Sequence, residues 1–347
     1  MHCSRVTLRQ YRSYASLDLA LVPGVVLVVG RNGAGKTNLL ESLHVATQGF
    51  SPRTRQDTQL IRLGEQAARV AVEGSRGSTP FEVTVTLRHG QAKEARVNGA
   101  RLTSAESLRR EFATLVFTPD RLAVVKGGPA ARRAYFDRVL GRLHPARASV
   151  PQDYLAALAQ RNAALRRVQL GLSGRDALEP WTEQVATLGA DLVGRRAETL
   201  AVLGPGFAER AAELGLPEAR LGYDAKPPTR EELDARLARD LDRGATSVGP
   251  HLDDVLVTGG GRDLRQFGSQ GEQRLAVLSL LLAEAELLPT PPLLLLDDVL
   301  SELDPGRREV LAARVAGMGQ TMITATHRAS LPIEPAQIVE VSVGSAR

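Results

Sequence analysis

Three separated segments constrain this chain more than any other feature. Gly30-Arg31-Asn32-Gly33-Ala34-Gly35-Lys36-Thr37 lies near the N-terminus. Ser269-Gln270-Gly271-Glu272-Gln273-Arg274 and the run LLLLDDVLSELD (293–304) lie near the C-terminus. The apolar run Val25–Val29 leads into the first segment, and residues 37–46 continue from it with Leu39, Leu40 and Leu43 on one helical face. A strand, a glycine-rich turn and a helix form the context that the pattern G-x-x-x-x-G-K-T needs to bind phosphate. Glycines let backbone N–H groups curl around a β-phosphate, and the helix N-terminus adds partial positive charge. Lys36 is expected to reach the β- and γ-phosphates, and Thr37 to hold Mg²⁺.

The acidic segment is a buried strand, Leu293–Leu296, closed by Asp297 and Asp298. Asp297 is expected to contact Mg²⁺ through water, because Mg²⁺ keeps several of its waters. Asp298 stands where a general base polarises an attacking water. Ser269 opens a helix and forms a capping box with Glu272, while Gly271 permits close approach of a phosphate. Alone, that segment reads as an ordinary cap. Only one helix and one turn separate it from the acidic strand, and this spacing makes it a candidate to meet, in a dimer, the γ-phosphate held by the other chain. Ser301 and Asp304 follow the acidic strand and fall at the expected dimer seam. His327 follows the apolar strand 322–326 and is either a γ-phosphate sensor or structural. Arg12, in Tyr11-Arg12-Ser13-Tyr14, either approaches the phosphates or is an exposed hairpin arginine. His251 with Asp253 and Asp254 has a metal-like composition but no further ligand set, so a structural reading is favoured.

The 347 residues suffice for two domains, or for one domain with a large insertion. No run of about eighteen apolar residues occurs, which argues against a membrane span. The single cysteine, Cys3, excludes an intramolecular disulfide and fits a reducing compartment, and the N-terminus lacks the apolar core of a signal peptide. A cytoplasmic location is therefore expected. Strand patterns dominate up to residue 118, with a hairpin at Asn98-Gly99. Helical patterns rich in Ala, Leu and Arg follow, at 132–143, 153–170, 179–203 and 230–241, with breaks that include Gly204-Pro205. Strand character returns from residue 254. The expected architecture is α/β: a head from residues 1–120 plus 250–347 with a mixed sheet and helices, split by a mainly helical lobe, 121–249.

Net charge is +5 and lysine occurs only at 36, 93, 126 and 226, so arginine carries most of the positive charge. A GC-rich genome explains much of that bias, yet its distribution is uneven. Arg121, Lys126, Arg132, Arg133, Arg138, Arg142 and Arg147 crowd one stretch where Asp137 is the sole acid. Arg53, Arg55 and Arg62 form a second group. With few aromatics nearby, both groups suit duplex backbone better than stacked single strands.

The run N-G-A-G-K-T-N-L-L-E from Asn32 to Glu41, which includes Asn38, resembles the phosphate loop of SMC-like ATPases. Phe117-Thr118-Pro119-Asp120, Gly249-Pro250-His251, Phe267-Gly268-Ser269-Gln270-Gly271 and Asp297-Asp298-Val299-Leu300-Ser301-Glu302-Leu303-Asp304 resemble the RecF family within that group. The resemblance spans essentially the whole chain in order. Phe117-Thr118-Pro119-Asp120 stands about where a nucleotide-sensing Q-loop lies, without its glutamine, and Glu272 stands where the signature commonly carries Gln. The resemblance implies an ABC-type head without the long coiled coil, an ATP-dependent homodimer on double-stranded and gapped DNA, and weak, DNA-dependent ATP hydrolysis. It also implies cooperation with RecR and RecO in loading RecA. A transport ATPase subunit and a DNA-binding scaffold with a merely structural nucleotide site are the competing readings.

Overall fold

The computed structural model describes residues 1–118 and 122–347. Pro119, Asp120 and Arg121, the end of the Q-loop-like segment and the first member of the basic run, lie outside the described residues. The chain divides into two compact units: residues 1–122, 213–215 and 277–347, and residues 123–212 and 216–276.

The first unit holds two six-stranded sheets. In one, the order is Ser345–Ala346, Gln337–Ser342, Val25–Val29, Thr321–Ala325, Leu293–Leu296, Thr114–Phe117. Its five longer strands run parallel, and the last two-residue strand closes it antiparallel. Parallel strands covered on both faces read as continuous apolar runs, and Leu293–Leu296 is buried throughout. Leu296 pairs with Ile323 and with Phe117, and Ala325 with Val29, so the carboxyl ends share one edge. Ligands of open α/β sheets bind along that edge.

The second sheet is antiparallel, in the order Tyr14–Ala20, His2–Tyr11, Ala67–Arg76, Thr79–Arg88, Glu94–Val97, Ala100–Arg101. Its strands alternate buried and exposed residues, as a one-faced sheet does. Asn98 and Gly99 both have positive φ, 49° and 80°, in the expected hairpin turn. The helix Lys36–Gln48 packs on strands of both sheets and is buried from Leu39 onward. Its polar groups are satisfied internally: Thr47 donates to Leu43 O, and Gln48 Nε2 donates to Phe112 O.

The second unit is mainly helical, with Pro129–Leu143, Val150–Gln169 and most of Glu179–Glu213, followed by Arg230–Ala235 and Leu237–Arg243. Gly204-Pro205 does not break the long helix, contrary to the sequence expectation. Buried Leu203, Phe207 and Ala211 hold it across the missing proline donor. Residues 250–276, grouped with the head from sequence, cluster with this unit, because Leu256–Gly259 pairs with Arg220–Gly222 in a small three-stranded sheet.

Candidate nucleotide site

The strand Val25–Val29 ends at Gly30, where a Cβ would meet Val341 O at 2.4 Å, so only glycine fits. Gly33 and Gly35 have φ of 80° and 115°, which turns the chain into the helix beginning at Lys36. The buried Tyr14 hydroxyl donates to Gly35 O, and Asn38 Nδ2 donates to Ser13 Oγ. The hairpin tip thus braces the loop from behind.

Lys36 Nζ donates to Gly30 O at 2.6 Å and to Arg31 O at 3.0 Å, arching over the loop that its charge is meant to serve. Burial lowers its pKa, opposed by the charges of Asp298 and Asp297. Thr37 Oγ1 donates to both Asp297 carboxylate oxygens, at 3.0 and 2.9 Å, across 260 residues of sequence. Burial raises the Asp297 pKa against the hydrogen bonds from Thr324 and Thr37. A hydroxyl and a carboxylate side by side are hard oxygen donors, and they suit Mg²⁺. Asp298 has a left-handed φ of 53°, an unusual state that Asp tolerates better than most residues.

Thr324 holds the two acids together. Its Oγ1 donates to Asp297 Oδ1 at 2.9 Å and accepts from the Asp298 N–H at 2.8 Å. Sequence reasoning missed it; the signal was a threonine within a strand whose five residues are all buried. A cavity of about 550 Å³ is lined by Asn32, Gly33, Gly35, Lys36, Thr37, Asn38, Arg53, Thr118, Asp297, Asp298 and Thr324. It brings the phosphate loop, the acidic strand and Arg53 together.

Other candidates fall elsewhere. Arg12 makes a bidentate ion pair with Glu41, 2.9 Å for each bond, and donates to Gln59 O. Glu41, buried and also accepting from Ser51, is the second residue that sequence reasoning passed over. Arg53 donates to Asn38 Oδ1 and lies 3.6 Å from Glu41, so this DNA candidate faces the nucleotide cavity. Arg55 is exposed. His327 is exposed two residues past Thr321–Ala325.

In the second unit, Ser269 N–H donates to Glu272 Oε2 at 2.7 Å, and Glu272 N–H donates to Ser269 Oγ at 3.2 Å. The capping box is therefore formed, at the head of the helix Gln270–Leu287. These hydrogen bonds with Ser269 hold the Glu272 carboxyl below its usual range, and Arg262 lies 3.2 Å away. The signature's extra acid is thus tied to its own helix start. Gly271 is open, with only Ser269 Oγ near a would-be Cβ. In the first unit, Ser301 Oγ donates to Asp298 O, and Asp304 caps the helix Pro305–Ala316.

The basic run does not form one surface. Arg132 is 3% exposed, bidentate to Asp254, and donates to Val125 O and Gly127 O. Its fork is consumed inside the unit and cannot meet a phosphate backbone. Arg133 donates to Asp253 O, while Lys126 and Arg138 remain on the surface. His251 is structural: its Nδ1 lies 2.7 Å from the Tyr154 hydroxyl, and its Nε2 3.1 Å from Thr246 O.

The family model described as "RecF/RecN/SMC N terminal domain" matches residues 2–345. The chain is 36% identical to the DNA replication and repair protein RecF of Heliobacterium modesticaldum, covering 94% of this chain and 93% of that one. It is 37% identical to the protein of the same name from Frankia alni, with 96% of each covered. Among solved structures, the recombination mediator protein RecF with ATP, of the RecFOR pathway, superposes with a TM-score of 0.88 at 28% identity, covering 100% of this chain and 97% of that one. An Smc head domain from Pyrococcus furiosus shares the fold at 16% identity, with a TM-score of 0.62, and covers 100% of this chain and 95% of that one. A braced phosphate loop bonded to a paired-acid strand, a capped signature helix without a long coiled coil, and relatives matching from end to end place this chain in the RecF family of ABC-type ATPases.

Proposed function

We propose that this chain is an ATP-dependent DNA-binding protein of recombinational repair and replication. ATP draws two copies together on duplex DNA beside a single-strand gap, the pair helps RecR and RecO load RecA, and slow, DNA-dependent hydrolysis resets it. The observation that carries the reading is the direct bond between Thr37 and Asp297, with Lys36 held over the same loop. The backbone N–H groups of residues 30–38 receive the phosphates, and Lys36 follows the β- and γ-phosphates. Thr37 and Asp297 hold Mg²⁺, which neutralises phosphate charge when bound. Asp298 orients the attacking water, and His327 senses the γ-phosphate.

In the dimer, Ser269, Gln270, Gly271 and Glu272 of one copy close the site of the other, with Ser301 and Asp304 along the seam. Lys126, Arg138 and Arg55 contribute surface charge toward DNA. The related proteins carry DNA replication and repair in their names, and one is described in the RecFOR pathway with ATP. Cytoplasmic action fits those names.

Light scattering of the parent and Lys36→Ala with ATP-Mg²⁺, with and without duplex, tests the reading. A mass doubling that requires ATP and Lys36, and that DNA strengthens, supports it. An unchanged mass under every condition reduces residues 269–274 to a helix cap and overturns the clamp.

A further inference from the structure

The outward face of the antiparallel sheet carries two opposed arginines toward one end and two opposed glutamates toward the other. Toward the end of His2–Tyr11 that adjoins the phosphate-loop hairpin, Arg9 stands directly across from Arg69. About four residues back, roughly 13 Å along the strand, the row is Arg5, Glu73, Glu82, with Glu73 directly across from Glu82. Like charges directly opposed on a sheet are destabilising. Arg9 bonds only to Ser16 Oγ and to the carbonyls of Leu8 and Leu17, and neither Arg9 nor Arg69 has a carboxylate within ion-pair distance among the described residues. Thr7, Ser16, Ala71, Thr84 and Thr86 surround the pair with small or hydroxylated side chains, and the acids in the same rows, Asp18 and Glu94, are already ion-paired to Arg5 and Arg96.

The adjoining loop extends the basic end. Arg62 N–H donates to Gln10 O, which brings the backbone of Arg62 against the residue that follows Arg9. A turn follows, with Glu65 N–H donating to Arg62 O and Gly64 at φ 89°. Leu63 sits at its tip and is 99% exposed. Nothing in the fold uses that leucine.

We propose that this end of the sheet, Arg9, Arg69 and Arg62 with Leu63 at the rim, is a docking surface for the backbone of duplex DNA. Charge complementarity selects the occupant. Arginine forks and interleaved hydroxyls match phosphate oxygens, and the opposed arginines become favourable once an anion lies between them. The acidic row at the other end keeps the duplex to one side. Leu63 packs against sugar or the groove edge, as apolar side chains at DNA surfaces do. The proposal rests on the DNA-binding reading above and supplies the contact surface that the buried Arg132 does not.

The test is fluorescence anisotropy of a labelled 30-base-pair duplex with the full chain, ATP-Mg²⁺ and a series of salt concentrations. Arg9→Gln with Arg69→Gln is expected to weaken binding at least tenfold and to flatten the log–log salt slope by about 1.8, at roughly 0.9 per phosphate contact. The same variant should melt no lower than the parent, and slightly higher, because a like-charge pair has gone. Leu63→Ser should weaken binding without changing the slope. Glu73→Gln with Glu82→Gln should not weaken it. If the parent binds no duplex, the DNA-binding reading itself fails. If the parent binds and the arginine variant matches it in affinity and slope, the surface is wrong while the reading stands. Should the double variant fail to fold, Arg62→Gln, in the loop, carries the same expectation with a slope change of about 0.9.

Discussion

In the second unit, Arg132, Arg161 and Arg196 point inward, each bidentate or multiply bonded to a carboxylate and its neighbours. Arg161 binds Asp240, Thr182 and Thr246; Arg196 binds Asp137 and Pro250 O. In the first unit, Arg9 and Arg69 point outward, opposed to each other and, among the described residues, without a carboxylate in ion-pair distance. Both groups look alike in a charge count. The difference is in the fate of the guanidinium donors: where the fold takes them up, the arginine fixes the unit, and where it leaves them, the arginine is available to a ligand. Lys36 is an intermediate case, since its partners are carbonyls rather than an opposite charge.

The strongest way to sharpen this contrast is to remove Lys36. Lys36→Ala should lower ATP affinity by about a hundredfold or more, given two charge-assisted contacts worth up to about 3 kcal/mol each, as read by titration with a fluorescent nucleotide; its melting temperature should barely move. Arg161→Met should do the reverse, leaving the buried Asp240 uncompensated. A cost of about 3–5 kcal/mol is expected, seen as a lower melting temperature with duplex affinity per folded molecule unchanged. If Arg161→Met folds normally and loses DNA, the division between inward and outward arginines is broken.

Thr324→Val keeps the volume and removes the hydroxyl that joins Asp297 to the Asp298 amide. Turnover should fall about tenfold, equivalent to about 1.4 kcal/mol, with KM for ATP little changed, and Thr324→Ser should restore it. An equal loss in KM would instead assign Thr324 to ground-state binding.

Protonation offers a milder probe of the inward network. Burial, helped by the charge of Arg133, lowers the His251 pKa below its usual 6.5, against the hydrogen bond to Thr246. The folded state therefore holds His251 neutral. Its stabilising share is complete above pH 6.5 and declines as pH falls below that value. Melting temperature should drop between pH 7 and 5, less steeply in His251→Gln. The smallest effect concerns Cys3, whose thiol is pushed up to about 12 by burial. Maleimide at pH 8 should label it slowly in the native protein and rapidly in urea.

What was legible in the sequence was local. The phosphate loop, the Leu293–Leu296 strand and the capping box are each contiguous in sequence, so each pattern can be read before its distant partners are known. The Asn98-Gly99 turn was readable for the same reason. Arg132 was not, because its partner Asp254 lies 122 residues away and the run of basic neighbours masked it. Arg12 was ambiguous until Glu41 came into view across the hairpin. Thr324 was hidden in an apolar strand, where one hydroxyl reads as β-propensity rather than as a bridge. Pro205 misled because composition records a missing donor but not the buried side chains that hold the helix past it.

The arch of Lys36 over Gly30 and Arg31 has a kinetic meaning. The loop is already curled, and its cation already sits where an anion will come. A triphosphate therefore exchanges partners with two carbonyls and does not have to order a floppy segment. The entropy of shaping the site is settled when the protein folds, so capture should run at a rate set by encounter and charge. The slow events of the cycle are left to steps in which larger parts must meet.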